Sequence, residues 1–267
     1  MLKIIHNAGF FSCCSVKICI IIQYFTTNKK LPNEIDSSGL FDMYKVDIKK
    51  DITYDFFEMY SNKNIKILYE KYIPIDIMNF QFDNYKNVDY MYIIPFVEKY
   101  FSPSQKIIDI RNYLLLKYNI DTENCLGLYY RGTDKYTETQ LDSFDSYYNK
   151  LIKIIDMQLD KNIQIIIQTD TSQFLEYINE KFNNENNTYR KNIIIIEENS
   201  TSYTQSGIHN EKSRDENYID IQYLYATFLI ISKCKYIICS SGNCSIWMMY
   251  NRGCAKNVYQ NLNKEWL

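Results

Sequence analysis

The chain has 267 residues, of which 46% are hydrophobic and 23% are charged. This composition is that of a folded globular protein, and it argues against a mainly disordered chain. The formal net charge is −2, and the sequence has no basic stripe of the kind that binds nucleic acid. We therefore expect one large domain or two small ones, with no nucleic-acid partner.

Cysteine and histidine usage argues against a disulfide framework and a zinc site. The eight Cys residues lie in a long chain without a secretion signal, so we expect free thiols in a reducing compartment. There are only two His residues, and Cys234, Cys239 and Cys244 are not arranged in CxxC pairs. The apolar run at 16–25 is far short of the roughly 20 residues that span a bilayer. We expect a cytoplasmic protein without a bound metal or a membrane span.

In the first half of the chain, the sequence predicts one strand–turn–helix unit. We predict a strand at 2–5, a turn at 7–9, and a helix that Ser12 caps and that continues to about residue 25. The N-terminus of this helix is a potential anion site. Two further elements are predicted in this half, a loop at 33–50 and a helix at about 103–118.

The second half alternates short apolar strands with helices. Strands are predicted at 125–130, 163–167, 193–196, 236–239 and 256–259. Helices are predicted at 144–159, 172–182, 220–232 and 245–250, the first capped by Asp142 or Ser143 and the last closed by Gly253. Polar loops are predicted at 183–187 and 197–217, and the second is long enough to be functional.

Apolar strands without alternation, separated by helices, indicate a parallel sheet covered on both faces. Ligands of such sheets bind at the carboxyl ends of the strands. The polar residues that follow the predicted strands are Arg131, Thr133, Asp134, Asp170, Ser240, Ser241 and Asn243. Neither GxGxxG nor GxxxxGK[ST] is present, so no standard dinucleotide fingerprint or P-loop marks the site. We expect two α/β halves joined near residues 118–124.

Four groups of residues could carry chemistry, and each has a plain structural alternative. Arg131 could hold a diphosphate by bidentate hydrogen bonds, or it could brace a turn with an Asp. Residues 240–245 form either an anion-binding nest or a well-capped helix start. His209 and Asp220 could contact a nucleotide, or they could be a surface His and an ordinary helix-start Asp. Glu138 is either a general base or a solvated loop residue.

Taken in chain order, four blocks resemble the superfamily of α1,6-, α1,2- and protein-O-fucosyltransferases, and most of all its α1,6 branch. Residues 127–135, GLYYRGTDK, are similar to the family's GVHVRRTDK, and residues 166–172, IIQTDTS, are similar to LATDDPS. Residues 206–210, SGIHN, and then 219–224, IDIQYL, are similar to AGLHN followed by LDIHFL. Residues 237–241, IICSS, are similar to VCTFSS. In the N-terminal half, GFFSC at 9–13 resembles the family's Gly-rich first turn GYGCQ only loosely.

The resemblance implies a GT-B-like α/β fold, with two Rossmann-like halves that each have a parallel sheet and a cleft between them. Residues 1–120 would form the acceptor side, and 121–267 the half that binds a nucleotide sugar, GDP-fucose, without a metal. Arg131 matches the motif Arg that contacts the donor diphosphate, and Asp220 matches the Asp at the guanosine. The other residues expected at the donor are Asp170, His209, Ser240, Ser241, Asn243, Gly9 and Phe10.

The sequence departs from the family at three positions. The motif His is Tyr129 here, and the second motif Arg is Gly132, which removes one cation from the diphosphate site. Glu138 lies one residue before the family's proposed base. These departures bear on the donor and the base more than on the fold.

The resulting hypothesis is an inverting, metal-independent glycosyltransferase with a nucleotide-sugar donor, a glycan or glycoconjugate acceptor and no cofactor. Arg131 would stabilise the departing diphosphate, and Glu138 or Asp134 would take the proton of the acceptor hydroxyl. Two alternatives stay open. One is the same fold with another nucleotide sugar, and the other is a catalytically inactive nucleotide- or glycan-binding relative.

Overall fold

A computed structural model describes residues 1–60, 80–157, 162–184 and 192–267. Two of the sequence predictions fall partly beyond these residues. They are the end of the predicted helix at Leu159 and residues 185–187 of the predicted polar loop.

A six-stranded sheet forms the second half of the chain. Its strands are β3 (Cys125–Tyr130), β4 (Gln164–Thr169), β5 (Ile193–Ile195), β6 (Tyr236–Ser240), β7 (Val258–Leu262) and β8 (Glu265–Trp266). They lie in the order β5-β4-β3-β6-β7-β8, and only β8 runs antiparallel to its neighbour. The order reverses between β3 and β6, which is the switch point at which doubly wound sheets bind ligands.

Helices cover both faces of this sheet, as continuous apolar strands require. On β3, Leu126, Leu128 and Tyr130 pack in one buried cluster with α5 (Phe144–Asp156) and α6 (Ser172–Asn184). The alternate residues Cys125 and Tyr129 belong to a second cluster, which includes α7 (Arg214–Ile231) and α8 (Asn243–Arg252). The period-2 alternation of a strand thus supplies two cores. The predicted Ser143 cap is present, since its side chain accepts from Ser146 N.

The described part of the first half has a smaller parallel sheet. It pairs β1 (Leu2–His6) with β2 (Ile35–Leu40), and the accompanying helices are α1 (Phe10–Asn28), α2 (Thr53–Phe56), α3 (Tyr90–Tyr100) and α4 (Gln105–Lys117). The larger buried cluster contains side chains from both halves of the chain. The domain division near residue 120 stays a prediction.

The expectation of a loop at 33–50 was wrong, because β2 lies within it. The sequence of this strand, IDSSGL, has no apolar run. The segment is a strand because its backbone pairs in parallel with β1, and not because of a hydrophobic side-chain pattern. Strand propensity is strongly context-dependent for this reason.

Two predicted helix starts were also wrong. Helix α1 begins at Phe10 behind Gly9, so Ser12 lies inside its first turn, where its Oγ is 3.0 Å from His6 Nε2. Helix α7 begins at Arg214, six residues before Asp220. Its start has a reciprocal capping box between Ser213 and Glu216. The S-x-x-E spacing was a readable signal for that start.

Helix α1 is long and apolar enough to cross a membrane by length and composition. Its most apolar window is nevertheless 67% buried inside the protein, which is the environment of a core helix. No membrane span is therefore indicated in the described ranges.

Candidate functional site

A cavity of about 540 Å³ opens at the switch point of the larger sheet. This volume lies in the range of small-molecule sites. Residues of both halves line it, because the N-terminus of α1 and Tyr44 face the loops that follow β3 and β4. The predicted site residues that line it are Gly9, Phe10, Arg131, Asp134, Glu138, Asp170, His209, Asp220 and Asn243.

Arg131 is the first residue after β3, and carboxylates hold its guanidinium. Nη2 donates to Asp134 Oδ1 at 2.7 Å, and Nε lies 4.0 Å from Asp170 Oδ2. Nε is buried and has no hydrogen-bond partner. Burial acts against the charge, but Cys244 and the carboxylates outweigh it and raise the pKa of Arg131 above its ordinary value. Arg131 therefore both braces its turn and presents a permanent cation to the cavity.

Asp170 organises the turn around Arg131. Its Oδ1 accepts from Gly132 N at 2.8 Å, and its Oδ2 accepts from Thr133 Oγ1 at 2.7 Å. A Cβ at position 132 would lie 2.5 Å from Thr171 Oγ1 and 2.7 Å from the Tyr130 ring. The turn thus has no room for an arginine in place of Gly132 as it stands.

Lys135 supplies a second cation to the cavity. Its side chain is 3% exposed and pairs with Glu138, whose side chain is 42% exposed. Lys135 Nζ also lies 3.4 Å from Gln81 Oε1. Burial lowers the pKa of Lys135, while Glu138 acts to raise it. From the sequence, we expected the diphosphate site to have one cation fewer, because Gly132 replaces the second motif Arg. Lys135 was not assigned a role at this site.

The two base candidates differ in their surroundings. Burial opposes the charge of Asp134, but the adjacent Arg131 outweighs burial and holds the pKa of Asp134 below its ordinary value. A carboxylate with a lowered pKa is a weaker base. Glu138 instead pairs with Lys135 at the more exposed side of the cavity. Each of the two carboxylates therefore has a cation beside it, and Glu138 is the more exposed of the two.

His209 lies in a short 3-10 turn, Ile208–Asn210, beside this ion pair. A Cβ at Gly207 would lie 3.0 Å from Asp134 Oδ2, so the His209 turn packs directly on the Arg131 loop. Burial, followed by the charge of Arg131, lowers the pKa of His209. The imidazole is therefore neutral at pH 7 and can act as a hydrogen-bonding group.

The N-terminus of α8 places Asn243 at the cavity. Trp247 Nε1 donates to Ser15 Oγ at 2.9 Å, and Ser15 Oγ donates to Asn243 Oδ1 at 2.7 Å. This chain from α8 through α1 fixes the Asn243 amide, so its Nδ2 remains as the group that can donate to a ligand. The residue before the helix, Gly242, has no side-chain cap. The site thus combines a helix N-terminus with an oriented amide donor.

Ser240 and Ser241 use their hydroxyls inside the protein. Ser240 Oγ accepts from Arg131 N at 3.1 Å and lies 2.8 Å from Tyr147 OH. Ser241 Oγ donates to Asn261 O at 2.8 Å. The pair holds β6 to its neighbours and positions the start of the Arg131 loop.

Asp220, on α7, also lines the cavity. Its Oδ2 accepts from Ser200 Oγ at 2.9 Å and also pairs with Lys212 Nζ. Asn199 and Gln168 line the same cavity. Sequence reasoning missed Asn199, Gln168 and Ser200, although Gln168 lies directly after the predicted strand 163–167.

In the ranges that the structure describes, no group of three or more His, Cys, Asp or Glu side chains is arranged to hold a metal ion. The same ranges contain only free cysteines.

Comparison with known proteins identifies the fold class. No protein-family model matches the chain, and no curated protein is similar to it in sequence. Among solved structures, a variant of Arabidopsis thaliana FUT1 in complex with GDP is similar in fold, with a TM-score of 0.51 over 97% of this chain and 69% of that chain. The two sequences are 10% identical. The fold is therefore α/β and GT-B-like, as predicted.

Proposed function

We propose that the protein is a glycosyltransferase that transfers fucose from GDP-fucose to a hydroxyl of a glycan or another acceptor. The observation that carries this proposal is the convergence of Arg131, Lys135 and the α8 N-terminus on one cavity at the sheet's switch point. The GT-B-like fold and the four sequence blocks support the same function.

In the proposed reaction, the acceptor oxygen forms a bond to the sugar C1 as the bond from C1 to the diphosphate oxygen breaks. The product is inverted at C1, and GDP leaves with the bonding electron pair. Arg131, Lys135 and the Asn243 amide stabilise the charge on the diphosphate. Glu138 accepts the proton of the attacking hydroxyl. In this proposal no step uses a metal or a cofactor.

A second candidate is the same reaction with another nucleotide sugar. Two observations favour it over an inactive relative. Position 132 cannot hold the family's second Arg in the present turn, and Lys212 occupies one oxygen of Asp220. Both features change the surroundings of the donor while leaving Glu138 in place.

A thermal-shift panel of GDP-, UDP- and dTDP-sugars tests the proposal. A ligand at a hundredfold its Kd stabilises a protein by about 2.7 kcal/mol, and roughly 2–4 °C of Tm per kcal/mol is expected for a chain of this size. GDP-fucose should therefore raise Tm by several degrees, and a larger shift with UDP- or dTDP-sugars would favour the second candidate. No shift with any nucleotide sugar would refute both.

Arg131→Ala tests where the donor binds. The variant should keep its fold and lose most of the GDP-dependent shift, because the diphosphate loses its bidentate cation. Arg111→Ala is the matched control, since Arg111 lies on α4 and its guanidinium bonds Asn112 at the surface. An unchanged GDP affinity in Arg131→Ala would place the diphosphate elsewhere.

A further inference from the structure

Gly242 precedes α8 in a backbone conformation that residues with a Cβ rarely adopt. Its φ is +155° and its ψ is 175°, in a region that is populated almost only by glycine. A Cβ at this position would lie 3.2 Å from both Cε and Nζ of Lys135. The end of the Lys135 side chain therefore packs directly on the backbone from which α8 begins.

This contact brings two positive features together. The Lys135 side chain is buried, and the N-terminus of α8 carries the positive end of the helix dipole. Lys135 and the first two residues of α8, Asn243 and Cys244, all line the cavity. The lysine and the helix end repel each other, and an anion bound beside both of them relieves that repulsion. Other interactions must therefore hold the lysine and the helix end in contact.

The hydroxyl of Tyr85 holds the backbone of Gly242. Gly242 N donates to Tyr85 OH at 3.0 Å. The same hydroxyl lies 3.3 Å from Gly242 O and 3.2 Å from Gln81 O, and either carbonyl can accept its hydrogen. Tyr85 is 1% exposed, so water does not compete for these hydrogen bonds. One buried hydroxyl thus fixes the peptide groups on both sides of Gly242.

Gln260, on β7, fixes the position of Tyr85 in turn. Tyr85 N donates to Gln260 Oε1 at 2.9 Å. Gln260 Nε2 donates to Asp83 O at 2.8 Å and to Ser241 Oγ at 2.9 Å. A single buried amide therefore joins the segment 83–85 of the first half to the turn that leads into α8.

The same part of the first half also contacts Lys135. Phe82 lies in a 3-10 turn, Phe80–Phe82, and Lys135 Nζ is 4.8 Å from the centre of its ring, within the range of a cation–π interaction. Nζ also lies 3.4 Å from Gln81 Oε1. Residues 81–85 thus contact both the cation and the helix start that lie at the cavity.

We propose that Tyr85 is a positioning residue for the diphosphate of the donor. It acts through Gly242, because its hydroxyl fixes the peptide that directs the N–H groups of the first turn of α8 and supports Lys135. Groups that are held in place before the ligand arrives stabilise its charge without a cost of reorganisation. This proposal rests on the proposed function, because it takes a nucleotide sugar as the ligand.

Calorimetric affinities of GDP and guanosine for the full-length chain test the proposal. Tyr85→Phe removes only the hydroxyl, so it should weaken GDP about threefold to tenfold. It should leave guanosine, which has no phosphate, almost unchanged. UDP and uridine form a second pair of probes, which covers a preference for another base. An unchanged diphosphate affinity in Tyr85→Phe, or a parallel loss of nucleotide and nucleoside affinity, would overturn the proposal.

Tyr250→Phe is the matched control. Tyr250 is 2% exposed on α8, and its hydroxyl has no hydrogen-bond partner in the part of the chain that the structure describes. This variant should bind GDP like the wild type. Gly242→Ala is an independent test if Tyr85→Phe does not fold, since its Cβ would displace the end of Lys135. Gly242→Ala should also weaken GDP about threefold or more and spare guanosine, and a wild-type ratio of the two affinities would contradict the proposal.

Failure of the positioning role and failure of the proposed function give different results. If the wild type binds none of the four ligands, or binds the nucleosides as tightly as the diphosphates, the proposed function fails and the role of Tyr85 fails with it. If the wild type prefers GDP to guanosine, and both Tyr85→Phe and Gly242→Ala keep that preference, only the positioning role is refuted.

Discussion

Lys17 is a buried cation whose removal should stabilise the protein. It lies on α1 with 2% of its surface exposed, and its Nζ is 5.6 Å from the centre of the Phe101 ring. Burial lowers the pKa of Lys17 from 10.5 to about 8, while Asp51 and Cys14 offset part of that effect. A lowering of this pKa from 10.5 to about 8 corresponds to about 3 kcal/mol, since a tenfold change in an equilibrium constant is about 1.36 kcal/mol.

The sign of the pH dependence follows from the lowered pKa. Below pH 8 Lys17 is charged in both the folded and the unfolded chain, and the folded state bears the full cost of burying the charge. Between pH 8 and 10.5 the unfolded chain binds more protons, so this contribution to the free energy of unfolding rises with pH. Buried thiols such as Cys239, whose pKa burial raises to about 12, act in the opposite direction.

The comparison of the wild type with Lys17→Met isolates the lysine, because both proteins share those thiols. Urea unfolding under reducing conditions should show Lys17→Met more stable by about 1–3 kcal/mol at pH 7. The difference should shrink at pH 9. Lys235→Met, at an exposed lysine 5.5 Å from the Tyr236 ring, should show neither effect. A destabilised Lys17→Met, or a difference independent of pH, would refute the reasoning.

Two predictions concern the cavity at the switch point of the larger sheet. Glu138→Gln should lower kcat for GDP-fucose turnover about 10²–10⁴-fold, because proton transfer is lost. It should not weaken GDP, because Lys135 keeps its charge and loses an anion that competes with the diphosphate. Steady-state kinetics and calorimetry measure the two constants, and an unchanged kcat would assign the base elsewhere. Ser15→Ala should weaken GDP about threefold to tenfold, because Asn243 loses the hydroxyl that orients its amide; calorimetry measures this loss, and wild-type affinity would show that the amide needs no support.

The larger sheet could be predicted from the sequence because its strands are buried on both faces and therefore form continuous apolar runs. The prediction of β3 at 125–130 is confirmed to the residue, and α5 begins at Phe144 as its cap indicates. The antiparallel β8 and the polar β2 were missed. Both are short or polar strands that backbone pairing holds in place, and pairing between distant segments leaves no local hydrophobic pattern.

The candidate site was predictable only where it follows an apolar strand. Arg131 and Asp170 come directly after β3 and β4, so a fold-level rule located them. Asn199 lies in a polar loop without periodicity, and its side chain bonds residues of two other elements, Gln168 on β4 and Thr227 on α7. Such three-part arrangements exist only after the chain has folded.

The two sequence-based alternatives for Arg131 turn out to be compatible. Its guanidinium pairs with Asp134, as the structural alternative requires. Arg131 also lines the cavity, as the ligand-binding alternative requires. A diphosphate would therefore compete with Asp134 for the guanidinium of Arg131. Its affinity would reflect the difference in free energy between these two ion pairs, rather than the full free energy of one added ion pair.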